Sequence, residues 1–114
     1  MECFNTSQHI VIQPQSRLDG RGGQAFMQQL TSVIQEHHQL WIIDMTHVSF
    51  IDSAGLGVLV NALKSARNQG RQLVLCNVSA TAKLILEITQ LDRVFEIFDE
   101  LESVFSAQSQ FKIA

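Results

Sequence analysis

Residues 47–66, "HVSFIDSAGLGVLVNALKSA", set a strand-like run directly against a helical one. "VSFI" (48–51) is β-branched and aromatic and reads as a buried strand. In the run that follows, Leu56, Leu59, Val60 and Leu63 fall at i, i+3, i+4 and i+7 and share one helical face, expected to pack on a sheet. The opposite face carries Ala54, Gly57, Val58, Asn61 and Ser65. A helix face turned to water usually carries lysine and glutamate; this one is small and mildly polar. It is either covered by another part of the domain or open to another protein, with Val58 and Asn61 accessible in the second case. Between strand and helix stand Asp52-Ser53-Ala54-Gly55. The ordinary role of Ser53 there is an N-cap. That role leaves modification open, because a helix N-terminus also favours phosphate. A catalytic nucleophile is disfavoured, since the first glycine of G-x-S-x-G is replaced by Ile51 and no His–acid pair follows in order.

Strands and helices alternate on either side. Residues 9–19, "HIVIQPQSRLD", read as a strand near a sheet edge, because Pro14 cannot donate to a ladder. "GRGG" (20–23) is a turn and lacks the pattern of a phosphate-binding loop. Phe26, Leu30, Val33 and Ile34 mark one face of the next helix. "LWIID" (40–44) is continuously apolar up to its aspartate, as a strand buried on both faces would be. "MTHV" bends the chain, and the helix that begins at Ser53 runs to about Gln69, with Gly70 as its stop. "RQLVLCNV" is a strand, "SATAKLILEITQLDRV" a helix capped by Ser79, and "VFEIF" a short strand. A last helix, "DELESVFSAQ", opens on a D-x-x-E capping pattern at Asp99 and Glu102. Residues 109–114 look loosely held. The alternation predicts an α/β fold with a largely parallel sheet in a single domain over residues 1–114.

Composition narrows the function. Hydrophobic residues are 46%, charged residues 17% and the formal net charge is −3, which suits a globular chain and offers no basic patch for nucleic acid or a membrane surface. No apolar run approaches the ~20 residues needed to span a bilayer. The N-terminal residues lack the basic region of a signal peptide, so a cytoplasmic location is expected. Cys3 and Cys76 are then expected to stay reduced and unlinked. His37 and His38 are neighbours at a helix end, a poor arrangement for joint ligation, and no metal or cofactor is expected. Asp44, ending a buried strand, could suit a phospho-accepting receiver domain, but "IVIQPQ" supplies none of the acids such a site needs for Mg²⁺.

The stretch "LWIIDMTHVSFIDSAGLGVLVNALKSARNQG" resembles the STAS family, specifically bacterial anti-sigma factor antagonists. "DMTHVSFIDSAGLG" is similar to the family's D-[LM]-[ST]-x-V-x-[FY]-[ILM]-D-S-[SA]-G-[LI]-G signature. "SRLDGRGGQAFMQQL" resembles its G-x-L-D stretch, and residues 73–98 its strand, helix and final strand. Ser16 or Arg17, and Gln90, stand where the family usually has glycine. The resemblance implies a small, mostly parallel sheet of four to five strands with helices packed on one face. It implies no enzymatic activity and a monomer or weak dimer. The unphosphorylated form would bind an anti-sigma factor that is also a GHKL-type serine kinase, freeing a sigma factor. The kinase would phosphorylate Ser53 and a PP2C-like phosphatase would reverse this. Asp19, Asp44 and Asp52 are expected near Ser53, each ending a strand-like segment on one sheet edge, and the partner surface to include them with Ala54, Gly57, Val58 and Asn61. Two alternatives keep the same domain: a small-molecule or nucleotide binder using the Ser53 edge, and a structural subunit of a larger STAS assembly. No lysine or arginine in "DMTHVSFIDSAG" could hold a phosphate, which counts against the binder.

Overall fold

The computed structural model describes residues 2–5, 9–14, 16–18, 25–28, 30–31 and 39–110. Its strands are β1 (Glu2–Asn5), β2 (His9–Gln13), β3 (Ser16–Leu18), β4 (Leu40–Asp44), β5 (Val48–Ile51), β6 (Gln72–Cys76) and β7 (Glu96–Phe98). The helices labelled here are α1 (Ser53–Asn68), α2 (Ala80–Ile88) and α3 (Leu101–Gln110), and residues 25–28 and 30–31 are also helical. The main sheet has the order β1-β2-β4-β6-β7. β2, β4, β6 and β7 run parallel, and β1 pairs antiparallel with β2. The expected α/β class with a mostly parallel sheet is therefore what the chain adopts.

Side chains alternate across this sheet, and both faces are buried. Ile10, Ile12, Trp41, Ile43, Leu73 and Leu75 join one core with Phe26, Leu30, Leu59, Leu63 and Leu86. Val11, Leu40, Ile42, Val74 and Cys76 join a second core with Val104 of α3. The period of two explains why "LWIID" is apolar throughout: each face of β4 has its own cover. Helices α1 and α2 lie on the first face as expected, and α3 adds a cover on the second.

Several local expectations change. β2 is internal, because β1 pairs outside it. Pro14 lies just past the strand and costs no ladder bond. The chain then leaves the main sheet: β3 and β5 form a separate two-stranded parallel sheet. "VSFI" is therefore buried at Val48 and Ile51 only, and Phe50 is 41% exposed. The helix after Ser79 stops at Ile88, and Gln90 adopts φ 62 before a 3-10 turn at Leu91–Arg93. Asp99 forms an ion pair with Lys83 at 3.6 Å, and α3 starts at Leu101. Ser109 and Gln110 end α3, while 111–114, like "GRGG", lie outside the described residues.

Helix ends follow their sequence signals closely. The Ser79 side chain accepts from the Ala82 N–H at 3.1 Å. At the end of α1, Gly70 N–H reaches Arg67 O and Arg71 N–H reaches Ala66 O, with Gly70 at φ 72. This is the Schellman pattern, in which glycine takes the left-handed position without a Cβ penalty. Cys76 is a free, buried thiol. β1, which carries Cys3, is three inter-strand steps from β6, roughly 14 Å at ~4.8 Å per step and too far for a disulfide. Among the described residues, no helix is long and apolar enough to cross a membrane.

Candidate functional site

The site begins where β5 gives way to α1. Asp52 is extended, at φ −108 and ψ −173, and its carboxylate accepts from the Gly55 N–H at 2.9 Å. Asp52 is thus the N-cap, in place of the expected Ser53. A carboxylate suits the position, adding negative charge where the helix presents free N–H groups. Ser53 is consequently the first helical residue, exposed, and its hydroxyl makes no hydrogen bond among the described residues. The cap role that would have occupied that oxygen is already filled.

The buried stripe of α1 is Gly55, Leu59, Ala62, Leu63 and Ala66. Its centre is rotated from the expected Leu56–Leu59–Val60–Leu63 face by less than one residue step. Gly55, Ala62 and Ala66 carry the stripe to the side away from Leu56 and Val60. Leu56 and Val60 are therefore only half-buried. Val58, expected to be accessible, is also half-buried and packs against the same core. Ala54, Gly57 and Asn61 are exposed as expected. A Cβ built on Gly57 would meet nothing within 4 Å beyond its own stretch of helix, so nothing among the described residues requires glycine there. Beside Ser53 the exposed surface is thus small and flat.

Asp44 is not part of that surface. It is 3% exposed and spends its carboxylate internally. Oδ2 accepts from Gln13 Nε2 at 2.7 Å. Oδ1 accepts from the Thr46 N–H at 3.1 Å, from the Thr46 hydroxyl, and from Asn77 Nδ2 at 3.0 Å. Burial pushes this carboxyl upward, but the Thr46, Gln13 and Asn77 bonds outweigh it and hold the group below its ordinary value. Burial and the neighbouring Asp44 charge together push the Cys76 thiol up to about 12, which keeps it an unreactive thiol. Asp44 ends a strand of the main sheet, whereas Asp52 follows a strand of the small one. The two acids therefore do not share the single edge expected of them, and Asp19 lies outside the described residues. Gln13, Thr46 and Asn77 were not singled out by the sequence. The signal available was Asp44-x-Thr46, the spacing at which an aspartate bonds the backbone two residues on.

Comparison with known proteins places this geometry. The family model described as the STAS domain matches residues 4–104. Relatives named anti-sigma-B factor antagonist, from Listeria monocytogenes serovar 1/2a and Listeria innocua serovar 6a, are each 47% identical over 55 residues. That match covers 48% of this chain and 48% of each relative, so the chain spans about half the length of these curated relatives. The anti-sigma factor antagonist SpoIIAA in its unphosphorylated form superposes with a TM-score of 0.75 at 18% identity, covering 99% of this chain and 97% of that one. The phosphorylated form of SpoIIAA, a Bacillus cell fate determinant, gives 0.70 at 19% identity, covering 93% and 97%. At these identities the structures speak for the fold alone. With a match over residues 4–104, a parallel sheet of the same architecture and the D-S-x-G-L-G junction at the head of α1, the chain belongs to the STAS domain family.

Proposed function

We propose that the chain is an anti-sigma factor antagonist: a binding switch, not an enzyme, that is turned off by phosphate on Ser53. In the unphosphorylated form it binds an anti-sigma factor of the ATP-using GHKL serine-kinase type and so releases a sigma factor. A PP2C-like phosphatase restores the binding form, and the exchange takes place in the cytoplasm. The observation that carries this reading is the exposed Ser53 hydroxyl, which makes no hydrogen bond among the described residues while Asp52 caps the helix. Relatives named as antagonists, and a fold neighbour solved with and without phosphate, support it.

The proposed contact surface is Ser53, Ala54, Gly57 and Asn61, flanked by Asp52 and the exposed part of Val58. Phosphate adds about −1.5 to −2 charges at pH 7. The free N–H groups at the start of α1 favour that charge, while Asp52 opposes it, so the backbone should change little. A partner pressed against small residues meets bulk, charge and a desolvation cost, and a like or unpaired charge at an interface costs several kcal/mol. Titration of the purified anti-sigma kinase with wild type, Ser53→Ala and Ser53→Asp tests the reading. Ser53→Asp should bind at least about tenfold more weakly, a change of ~1.4 kcal/mol, and Ser53→Ala should still bind. Equal binding by Ser53→Asp would remove phosphorylation as the off-switch.

A further inference from the structure

We propose that Asp44 is a positioning residue for Ser53, its carboxylate fixing the two loops that decide where the head of α1 stands; the link to phosphorylation rests on the reading of Ser53 given above. The argument starts from topology. β5, which delivers Asp52 and Ser53, is hydrogen-bonded to β3 and not to the main sheet. The junction at residues 44–48 is thus one of the ties that place it against the main sheet. At that junction the Asp44 carboxylate takes both the N–H and the hydroxyl of Thr46. The Met45 N–H reaches Cys76 O at 2.9 Å and the Val48 N–H closes the turn onto Met45 O at 3.0 Å.

The same carboxylate holds a second loop. Asn77 donates to it at 3.0 Å and has φ 54, a left-handed conformation that a side-chain bond helps to hold. Two residues later Ser79 caps α2, and α2 packs against β5. Asp44 thus grips the loop before β5 and the loop before the helix that leans on β5. Gln13 ties this node to β2.

All four partners are donors, so the pocket is matched to an ionised carboxylate. Gln13 Oε1 is buried and has no hydrogen-bond partner among the described residues. Among the described residues Asp44 alone sets the orientation of that amide, which can flip if the carboxylate is replaced. Asp44→Asn can therefore keep a bond to Gln13 through the flipped amide and still fold. Its Oδ1 still accepts from Thr46 and Asn77, but as a neutral amide oxygen, so those three bonds lose the charge that strengthens them.

Amide hydrogen exchange on the full chain tests this, comparing wild type with Asp44→Asn, Thr46→Val, Thr46→Ser and Val104→Ala. Val104 belongs to the core on the opposite face and serves as the control for general destabilisation. Thr46→Val, which loses one bond to a charged group, and Asp44→Asn, which keeps the bonds but removes the charge from three of them, should each speed exchange at the Val48 and Gly55 amides by at least roughly tenfold. Thr46→Ser, which keeps the hydroxyl, should exchange like wild type. Val104→Ala should leave both amides slow at the same loss of denaturant stability. If Asp44→Asn exchanges at Val48 and Gly55 no faster than Val104→Ala, Asp44 is only a buried stabilising group and the proposal is overturned. A parallel assay with the anti-sigma kinase and labelled ATP separates the two readings: unlabelled wild type overturns Ser53 as acceptor, while the exchange result, which needs no kinase, still decides the role of Asp44.

Discussion

Replacing Gly57 by alanine should raise the stability of the chain and lower its affinity for a partner. Gly57 lies inside α1, one full turn past Ser53, and is exposed. Beyond its own stretch of helix, an added methyl meets no atom of the described residues within 4 Å, so the substitution meets no steric cost from them. Glycine in a helix interior is less favourable than alanine by ~0.8–1.0 kcal/mol, and that difference should be recovered nearly whole. For a chain of 114 residues the unfolding entropy is roughly 0.24 kcal/mol/K, so the melting temperature should rise by about 4 °C. The same methyl would stand in the middle of the Ser53–Ala54–Gly57–Asn61 surface. Overpacking a fitted contact costs ~1–3 kcal/mol, or roughly five- to 150-fold in affinity. Scanning calorimetry and titration of the anti-sigma kinase measure the two effects on one sample. An unchanged or lower melting temperature would refute the account of α1 as an exposed helix face. A higher melting temperature with wild-type affinity would move the interface away from this face.

Gln90→Gly should stabilise the fold by about 1 kcal/mol, because Gln90 occupies a left-handed conformation that costs an L-residue roughly 1–2 kcal/mol; a lowered urea midpoint would contradict this. Cys76 should stay unmodified by iodoacetamide at pH 8 in the native protein and react only on unfolding, since its thiol is buried and pushed up to about 12; native-state labelling followed by mass spectrometry checks it. Asp44 is held below its ordinary value of 3.8, so the stability it contributes is complete above that value and lost as pH falls through the lower folded value. The stability gap between wild type and Asp44→Asn in urea should therefore be wider at pH 7 than at pH 3; an equal gap at both would mean the carboxylate charge is not what the pocket binds.

The main sheet was legible because its signal is redundant. The apolar run at 40–44, the alternation of element types and the short connections all point to parallel strands buried on both faces. β1 was missed because "ECFN" is short and half polar, and pairing at an edge leaves little mark on four residues. The departure of β3 and β5 into their own sheet was invisible, since strand propensity says nothing about which strand a partner will be. The α1 stripe was misjudged for a related reason: large residues draw attention, yet three of the five buried positions, Gly55, Ala62 and Ala66, are small. At the site, the Ser53 position came directly from the D-S-A-G-L-G junction. The cap assignment did not, because Asp52 and Ser53 are both good caps and only backbone conformation separates them. Asp44 stands out in the sequence, but its role depends on Gln13 and Asn77, 31 and 33 positions away, which no local pattern joins. The glycine expected at Gln90 is explained by its φ of 62.

Transfer of phosphate to Ser53 is the most direct test of the central claim. Wild type and Ser53→Ala, each folded by circular dichroism, would be incubated with the purified anti-sigma kinase, Mg²⁺ and γ-labelled ATP, and the labelled residue identified by peptide mass spectrometry. The account predicts one phosphate per wild-type chain, located on Ser53, and no label on Ser53→Ala. Equal labelling of the two proteins, or wild-type phosphate on any other residue, would contradict it.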